Sequence, residues 1–283
     1  MGTEIYYFSG TGNSLYITLE LQKRIPETEL MPIVGLLDMD VVKTSAETVG
    51  IIFPIHLAMA PQIVIEFLKK MDLKSAGYIF AIATREGSQH RAFADFKKVL
   101  GKKGKDLNSY FTLNMASNDP KFKNWHPAAA EELADIESEI QNNLEYIQDI
   151  ILNKDESHEK DTHFTVHMPL FPIFSLVLPV LNKFYNVDFY ANSKCTGCGT
   201  CKKVCLSGKI KMVNGKPVWQ KEVDSFFCHA CLNYCPEQAV QIKSNLFLKS
   251  YTEENDRYSH PYATADDIAG QKNNLKYFQS NWE

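Results

Sequence analysis

No cysteine occurs in the first 194 residues of this 283-residue chain, and none follows Cys235. A disulfide scaffold spreads its pairs along the chain, so their confinement to 195–235 excludes that class. It points instead to metal in a reducing, cytoplasmic setting. A basic surplus is missing as well: 30 Lys and Arg face 34 Asp and Glu, a net charge of −4. Such a balance supplies no general field for nucleic acid. The opening MGTEIYYFSGTG lacks the basic and apolar regions of a secretory leader. With 14 Gly, 12 Pro and 45% hydrophobic residues, the composition is that of a folded globular chain. Finally, residues 164–182 lack Asp, Glu, Lys and Arg altogether. That is nearly the length of a membrane span, about 20 residues. Pro169, Pro172 and Pro179 interrupt it and one flank has no basic cluster. We read it as packing between two halves, or between the subunits of a homodimer, and not as a membrane segment.

What is present before residue 155 alternates between strand and helix. EIYYF (4–8), TVGIIF (48–53), YIFAIA (78–83) and YFTLNM (110–115) read as buried strands, and TELMPI (28–33) as a weaker one. Helices are expected from Ser14 to Arg24, after Pro61, before about Lys103, and over 127–153. The last has Leu133, Ile136, Ile140, Leu144, Ile147 and Ile151 at spacings of three or four. This alternation predicts an α/β fold, a doubly wound parallel sheet of about five strands covered on both faces. The charged run KDESHEKD (154–161) reads as a solvated linker. The expected organisation is a first domain over 1–155, a linker and apolar docking segment over 156–187, and a cysteine-bearing domain over 188–283.

After the first strand comes Phe8-Ser9-Gly10-Thr11-Gly12-Asn13-Ser14, running into a helix. Small residues at a helix N-terminus present backbone N–H groups to a phosphate, and the helix dipole favours the anion. No Lys-Ser/Thr pair follows, so this is not a Walker loop, and Leu15 stands where a dinucleotide fingerprint has its third glycine. A loop for one phosphomonoester suits a mononucleotide.

The cysteines run Cys195-x2-Cys198-x2-Cys201-x3-Cys205, then Cys228-x2-Cys231-x3-Cys235-Pro236. That is the bacterial ferredoxin spacing, in which the fourth thiolate of each motif serves the other cluster. It assigns Cys195, Cys198, Cys201 and Cys235 to one 4Fe–4S cluster and Cys205, Cys228 and Cys231 to a second. The second cluster's fourth position falls on Ser225, so it is expected as a 4Fe–4S centre completed by Ser225, Asp224 or water, or as a 3Fe–4S centre. Structural zinc is the competing reading, but zinc is usually held by two C-x2-C pairs. The alternating pairs Ile210/Met212 and Val240/Ile242 stand at equivalent places after Cys205 and Cys235, an internal repeat.

Taken together, S-G-T-G-N-S after an N-terminal strand resembles the phosphate loop of flavodoxins. With the cysteine module, the chain resembles flavodoxin–ferredoxin fusion proteins. The likeness extends over 4–14, FPIHLAMAP (53–61), DFYANSKC (188–195) and RYSHPYATADDI (257–268). It departs at Ser225, and at Leu206 where a Pro often follows the cysteine. The resemblance implies a flavodoxin-like sheet with FMN and a C-terminal α+β ferredoxin-like domain, passing electrons between clusters and flavin. Ser9, Thr11, Gly12, Asn13 and Ser14 would hold the phosphate. Pro54, Ile55, His56 and Leu57, with Thr84, Arg85, Glu86 and Gly87, would flank the isoalloxazine. Neither flanking loop holds Trp or Tyr, so the second half is expected to cover the ring. His56 and Arg85 are candidates for proton donor and flavin-charge partner; His90, Trp125, His126 and His229 are weaker ones. With no second nucleotide motif, the expected electron donor is a partner protein such as a ferredoxin. The alternative is a reductase acting on a small-molecule acceptor at the flavin or at an open cluster iron.

Overall fold

The computed structural model describes residues 2–56, 59–86, 92–159, 187–245 and 249–273. Its main sheet is assembled from β1 (Thr3–Tyr7), β2 (Thr28–Pro32), β4 (Thr48–Pro54), β6 (Tyr78–Arg85), β7 (Ser109–Asn114) and β8 (Ser157–His158). They lie in the order β2-β1-β4-β6-β7-β8, every pair parallel. The first five strands in this order are those of a flavodoxin-like doubly wound sheet. Between the strands run α1 (Asn13–Arg24), α2 (Gln62–Lys70), α3 (Ala92–Gly101) and α4 (Ala130–Asn153). Two-residue strands β3 (Val42–Lys43) and β5 (Met71–Asp72) pair beside the sheet.

Successive side chains of a strand point to opposite faces, and that alternation divides the core. Ile5, Tyr7, Ile52, Phe80 and Ile82 meet Leu15 and Leu21 of α1 and Ile140, Leu144 and Ile147 of α4 on one face. Tyr6, Phe8, Ile51 and Phe53 meet Val64 and Phe67 of α2 and Phe96 of α3 on the other. Each side chain buried this way contributes about 1.5–3 kcal/mol. Gly50 in β4 is required by this packing: a Cβ there would lie 2.3 Å from the Phe80 ring.

The charged run after α4 does not leave the sheet at once. Ser157–His158 pairs with β7, and Glu159 accepts from the amide of Thr112 at 2.5 Å. Beyond it come β9 (Phe189–Ala191), α5 (Thr200–Val204), β10 (Ile210–Val213), β11 (Lys216–Trp219), α6 (Ala230–Asn233), β12 (Val240–Ile242) and α7 (Ala265–Gly270). The repeated apolar pairs do fall on β10 and β12, but these strands pair with β11 and β9, not with each other. Leu206, where the resemblance expects Pro, is buried in the α2/α3 core with Val204, Ala230 and Ile268. This residue ties the cysteine region to the sheet. Among the described residues no helix is long and apolar enough to cross a membrane; the uncharged stretch 164–182 lies outside them.

Candidate functional site

Strand order reverses between β1 and β4, and open α/β sheets place ligands in the crevice outside the carboxyl ends at such a point. The glycine loop leaves β1 there. Gly12 is the N-cap of α1 in a left-handed conformation, φ 103°, with no side-chain cap, and the first turn of α1 holds no acidic residue. The positive end of the helix dipole is thereby left to an external anion. Ser9, Thr11, Asn13 and Ser14 are all buried. The Ser14 hydroxyl meets Thr84 Oγ1 at 2.8 Å and Asn13 Nδ2 donates to Ala116 O, so the start of α1 is fastened to the end of β6 and to the loop after β7. Asn118 Nδ2 donates to Thr11 Oγ1 at 2.6 Å.

At the end of β4, Ile55 N donates to Thr84 O, and His56 and Met59 exchange backbone hydrogen bonds. Leu57, Gly87 and His90 lie outside the described residues. The His56 imidazole is pushed down to about 4 by burial and, secondarily, by the charge of Lys121. It is therefore neutral at pH 7 and can exchange hydrogen bonds there without carrying charge. Arg85 is buried, its Nε donating to Asn114 Oδ1 at 3.0 Å. Trp125 donates to Ser117 Oγ, and His126 is exposed beside Pro127 O.

Lys121 escaped the sequence reading. Its ammonium is buried against the Asp119 carboxylate and lies 4.6 Å from the Phe122 ring centroid. Burial pushes it down to about 8. Asp119 Oδ1 also stands 3.8 Å from His229 Nδ1, which burial keeps well below its ordinary value. A lone lysine in SNDPKFKNW carries no motif, so no signal in the sequence distinguishes it from a surface residue. A broad depression of about 580 Å³ lines residues 22–29 and Gly2, at the opposite, amino edge of the sheet and remote from this crevice.

The C-terminal region closes on the loop. The Cys228 carbonyl lies so near Gly10 that a Cβ there would come within 2.1 Å of it, and the Phe8 and Phe226 rings meet edge to face at 6.2 Å.

The cysteines themselves require a correction. All seven are free, and among the described residues no group of three or more His, Cys, Asp or Glu side chains could hold a metal ion. This overturns both iron–sulfur clusters, and with them the ferredoxin-like domain, the cluster-to-flavin relay and the resemblance to flavodoxin–ferredoxin fusions as a whole. The flavodoxin-like sheet stands. Physically, the buried thiols serve as small apolar groups, while Cys198 is exposed. Cys201 and Cys205 are buried with Ile210, Leu232, Val240 and Ile242, and Cys231 and Cys235 pack against them. Cys195, Cys198, Cys201 and Cys235 share the lining of a small, partly open space of about 10 Å³, room for about one water-sized sphere. Burial raises the Cys201 and Cys228 thiols to about 11 and that of Cys231 well above its ordinary value, with neighbouring thiols adding to the rise, whereas hydrogen bonds from Thr200 lower that of Cys198. Ser225, expected as a ligand, closes a turn by accepting from Phe227 N at 3.2 Å.

For FMN the outcome differs. The uncapped α1 terminus, the glycine at φ 103° and the buried hydroxyls of Ser9, Thr11 and Ser14 suit a phosphomonoester.

No known family profile and no curated protein matches the chain. Solved structures do. A provisionally assigned flavoprotein from Bacteroides uniformis is 19% identical, over 41% of this chain and 92% of its own, with a TM-score of 0.34. An FMN-dependent NADH-azoreductase from Bacillus anthracis, solved with FMN, is 12% identical over 54% and 99%, with a TM-score of 0.36. Rubredoxin oxygen:oxidoreductase from Desulfovibrio gigas is 12% identical over 52% and 36%, with a TM-score of 0.31. Likenesses at this level carry no argument about chemistry, and the reading of the site rests on the chain's own residues.

Proposed function

We propose that this chain is an FMN-dependent reductase acting on a small-molecule acceptor at the carboxyl edge of its sheet. One observation carries the reading: an uncapped helix terminus free of acidic residues, opened by a glycine loop, at the topological switch between β1 and β4. The amides of Thr11, Asn13 and Ser14 and the Ser9 and Ser14 hydroxyls would bind the phosphate, with Ser9 Oγ also accepting from Gly12 N at 3.2 Å. Pro54, Ile55 and His56 on one side and Thr84, Arg85 and Glu86 on the other would orient the ring. When bound, FMN supplies conversion between one- and two-electron transfer. Neutral His56 would exchange a hydrogen bond at the ring edge, and buried Lys121 would favour negative charge there. Phe226 and the Cys228 backbone would exclude water from the loop. The chain holds no dinucleotide fingerprint, so a reduced partner protein such as a ferredoxin is the proposed donor. Seven free thiols suit the reducing cytoplasm.

The test is titration of apoprotein with FMN and with riboflavin, followed by acceptor screening of the loaded protein. One FMN per chain, held more tightly than riboflavin, is expected. Binding of neither, or no preference for the phosphorylated form, would overturn the reading.

A further inference from the structure

The glycine loop is gripped by a segment more than 240 residues away in the chain, 255–273. Gln271 is wholly buried, and its amide pairs with both backbone groups of Ser9: Oε1 accepts from Ser9 N at 2.9 Å while Nε2 donates to Ser9 O at 2.8 Å. His260 N donates to Thr11 O at 2.8 Å, and Tyr234 Oη reaches the same carbonyl at 3.3 Å. Tyr258 Oη donates to Asn13 Oδ1 at 3.2 Å. His260 and Ala263 press so closely that a Cβ on Gly12 would lie within 2.7 Å of both side chains. The segment has its own anchors: a capping box between Thr264 and Asp267 opens α7, and Lys203 pairs with Asp266 at 2.5 Å.

The polarity of these bonds is informative. Donors of the segment are directed at Ser9 O and Thr11 O, carbonyl oxygens that would repel a phosphate if left unpaired beside it. Of the loop amides, that of Ser9 is engaged by Gln271 and that of Gly12 donates to Ser9 Oγ at 3.2 Å. We propose that the 255–273 segment is part of the cofactor site, with Gln271 as the positioning residue that holds the glycine loop in its phosphate-receiving shape. This rests on the FMN reading above. A purely structural strap would stabilise the whole protein. A positioning strap affects the phosphate contact and leaves the ring contacts alone.

The discriminating experiment measures FMN and riboflavin affinity on apoprotein, for wild type, Gln271→Ala and Tyr258→Phe, with circular dichroism as the check on folding. For Gln271→Ala we expect FMN affinity to fall about tenfold, equal to about 1.4 kcal/mol, with riboflavin affinity within twofold of wild type. Tyr258→Phe removes one hydroxyl, and about a threefold loss confined to FMN is expected; it keeps the proposal testable if the alanine variant does not fold. Unchanged FMN affinity in a folded variant, or a parallel loss for both flavins, overturns the positioning role. If wild type itself shows no preference for FMN over riboflavin, the FMN reading fails, and this inference with it.

Discussion

Residues 2–159 bury whole aromatic rings between a parallel sheet and four helices, whereas residues 187–273 have no strand longer than four residues among those described. The first part carries two large apolar clusters, one on each sheet face. The second has one small cluster, built largely of cysteines and aliphatic residues, and borrows the rest by inserting Val204, Leu206, Ala230 and Ile268 into the α2/α3 core. Its other attachments include hydrogen bonds to the glycine loop and to residues 118–122, and the stacking of His260 on Tyr16. The difference teaches that the sheet can stand on burial alone, while the C-terminal region depends on the sheet for its place and shapes one loop in return.

The most severe way to break this comparison is to attack the sheet. Leu144 of α4 is fully buried, and Leu144→Ala should cost about 2–5 kcal/mol, read as a lower urea midpoint with both regions unfolding together. Next in size, Gly10→Ala drives a Cβ into the Cys228 carbonyl. A loss of about 1–3 kcal/mol is expected, with hydrogen exchange rising in 226–234 and 258–263 while β4 and β6 keep their protection. Equal loss in both regions would erase the distinction drawn here.

A smaller effect comes from acid. His260 stacks on Tyr16 at 4.4 Å, Nδ1 accepts from Tyr262 N, and burial pushes it down to about 4. Between pH 6.5 and 4 the unfolded chain therefore binds the proton that the folded chain refuses. Its contribution is present above pH 6.5 and is lost as pH falls. His260→Asn should flatten the decline of the urea midpoint from pH 7 to 4.5; an unchanged slope would show that His260 has no part in it. The smallest effect belongs to the exposed Lys154–Glu47 pair at 2.6 Å. Lys154→Met should move the unfolding temperature by no more than about a degree.

Much of the sheet was legible because its strands are continuous apolar runs and α4 keeps strict three–four spacing. The two-residue strands β3, β5 and β8 were not, since they are made by tertiary neighbours and carry no period of their own. A signal for the β10–β11 hairpin was present and unused: Asn214 and Gly215 both take positive φ, 49° and 74°, as an Asn-Gly turn prefers. The cysteine spacing misled, because it can bring thiols near one another, as around the small space shared by Cys195, Cys198, Cys201 and Cys235, without making a group that could hold a metal among the described residues. The glycine loop was found from its residue types, but Gln271 was invisible: a glutamine in QKNN acquires its role only when the fold lays it on Ser9.

That contact has a consequence for synthesis. Ser9 and Gln271 are separated by 262 positions, and at about 5–20 residues per second roughly 13–50 s pass between their appearance at the ribosome. The N-terminal strands can pair long before Gln271 emerges, so the loop that leaves β1 waits for its partner while the sheet beneath it is already assembling.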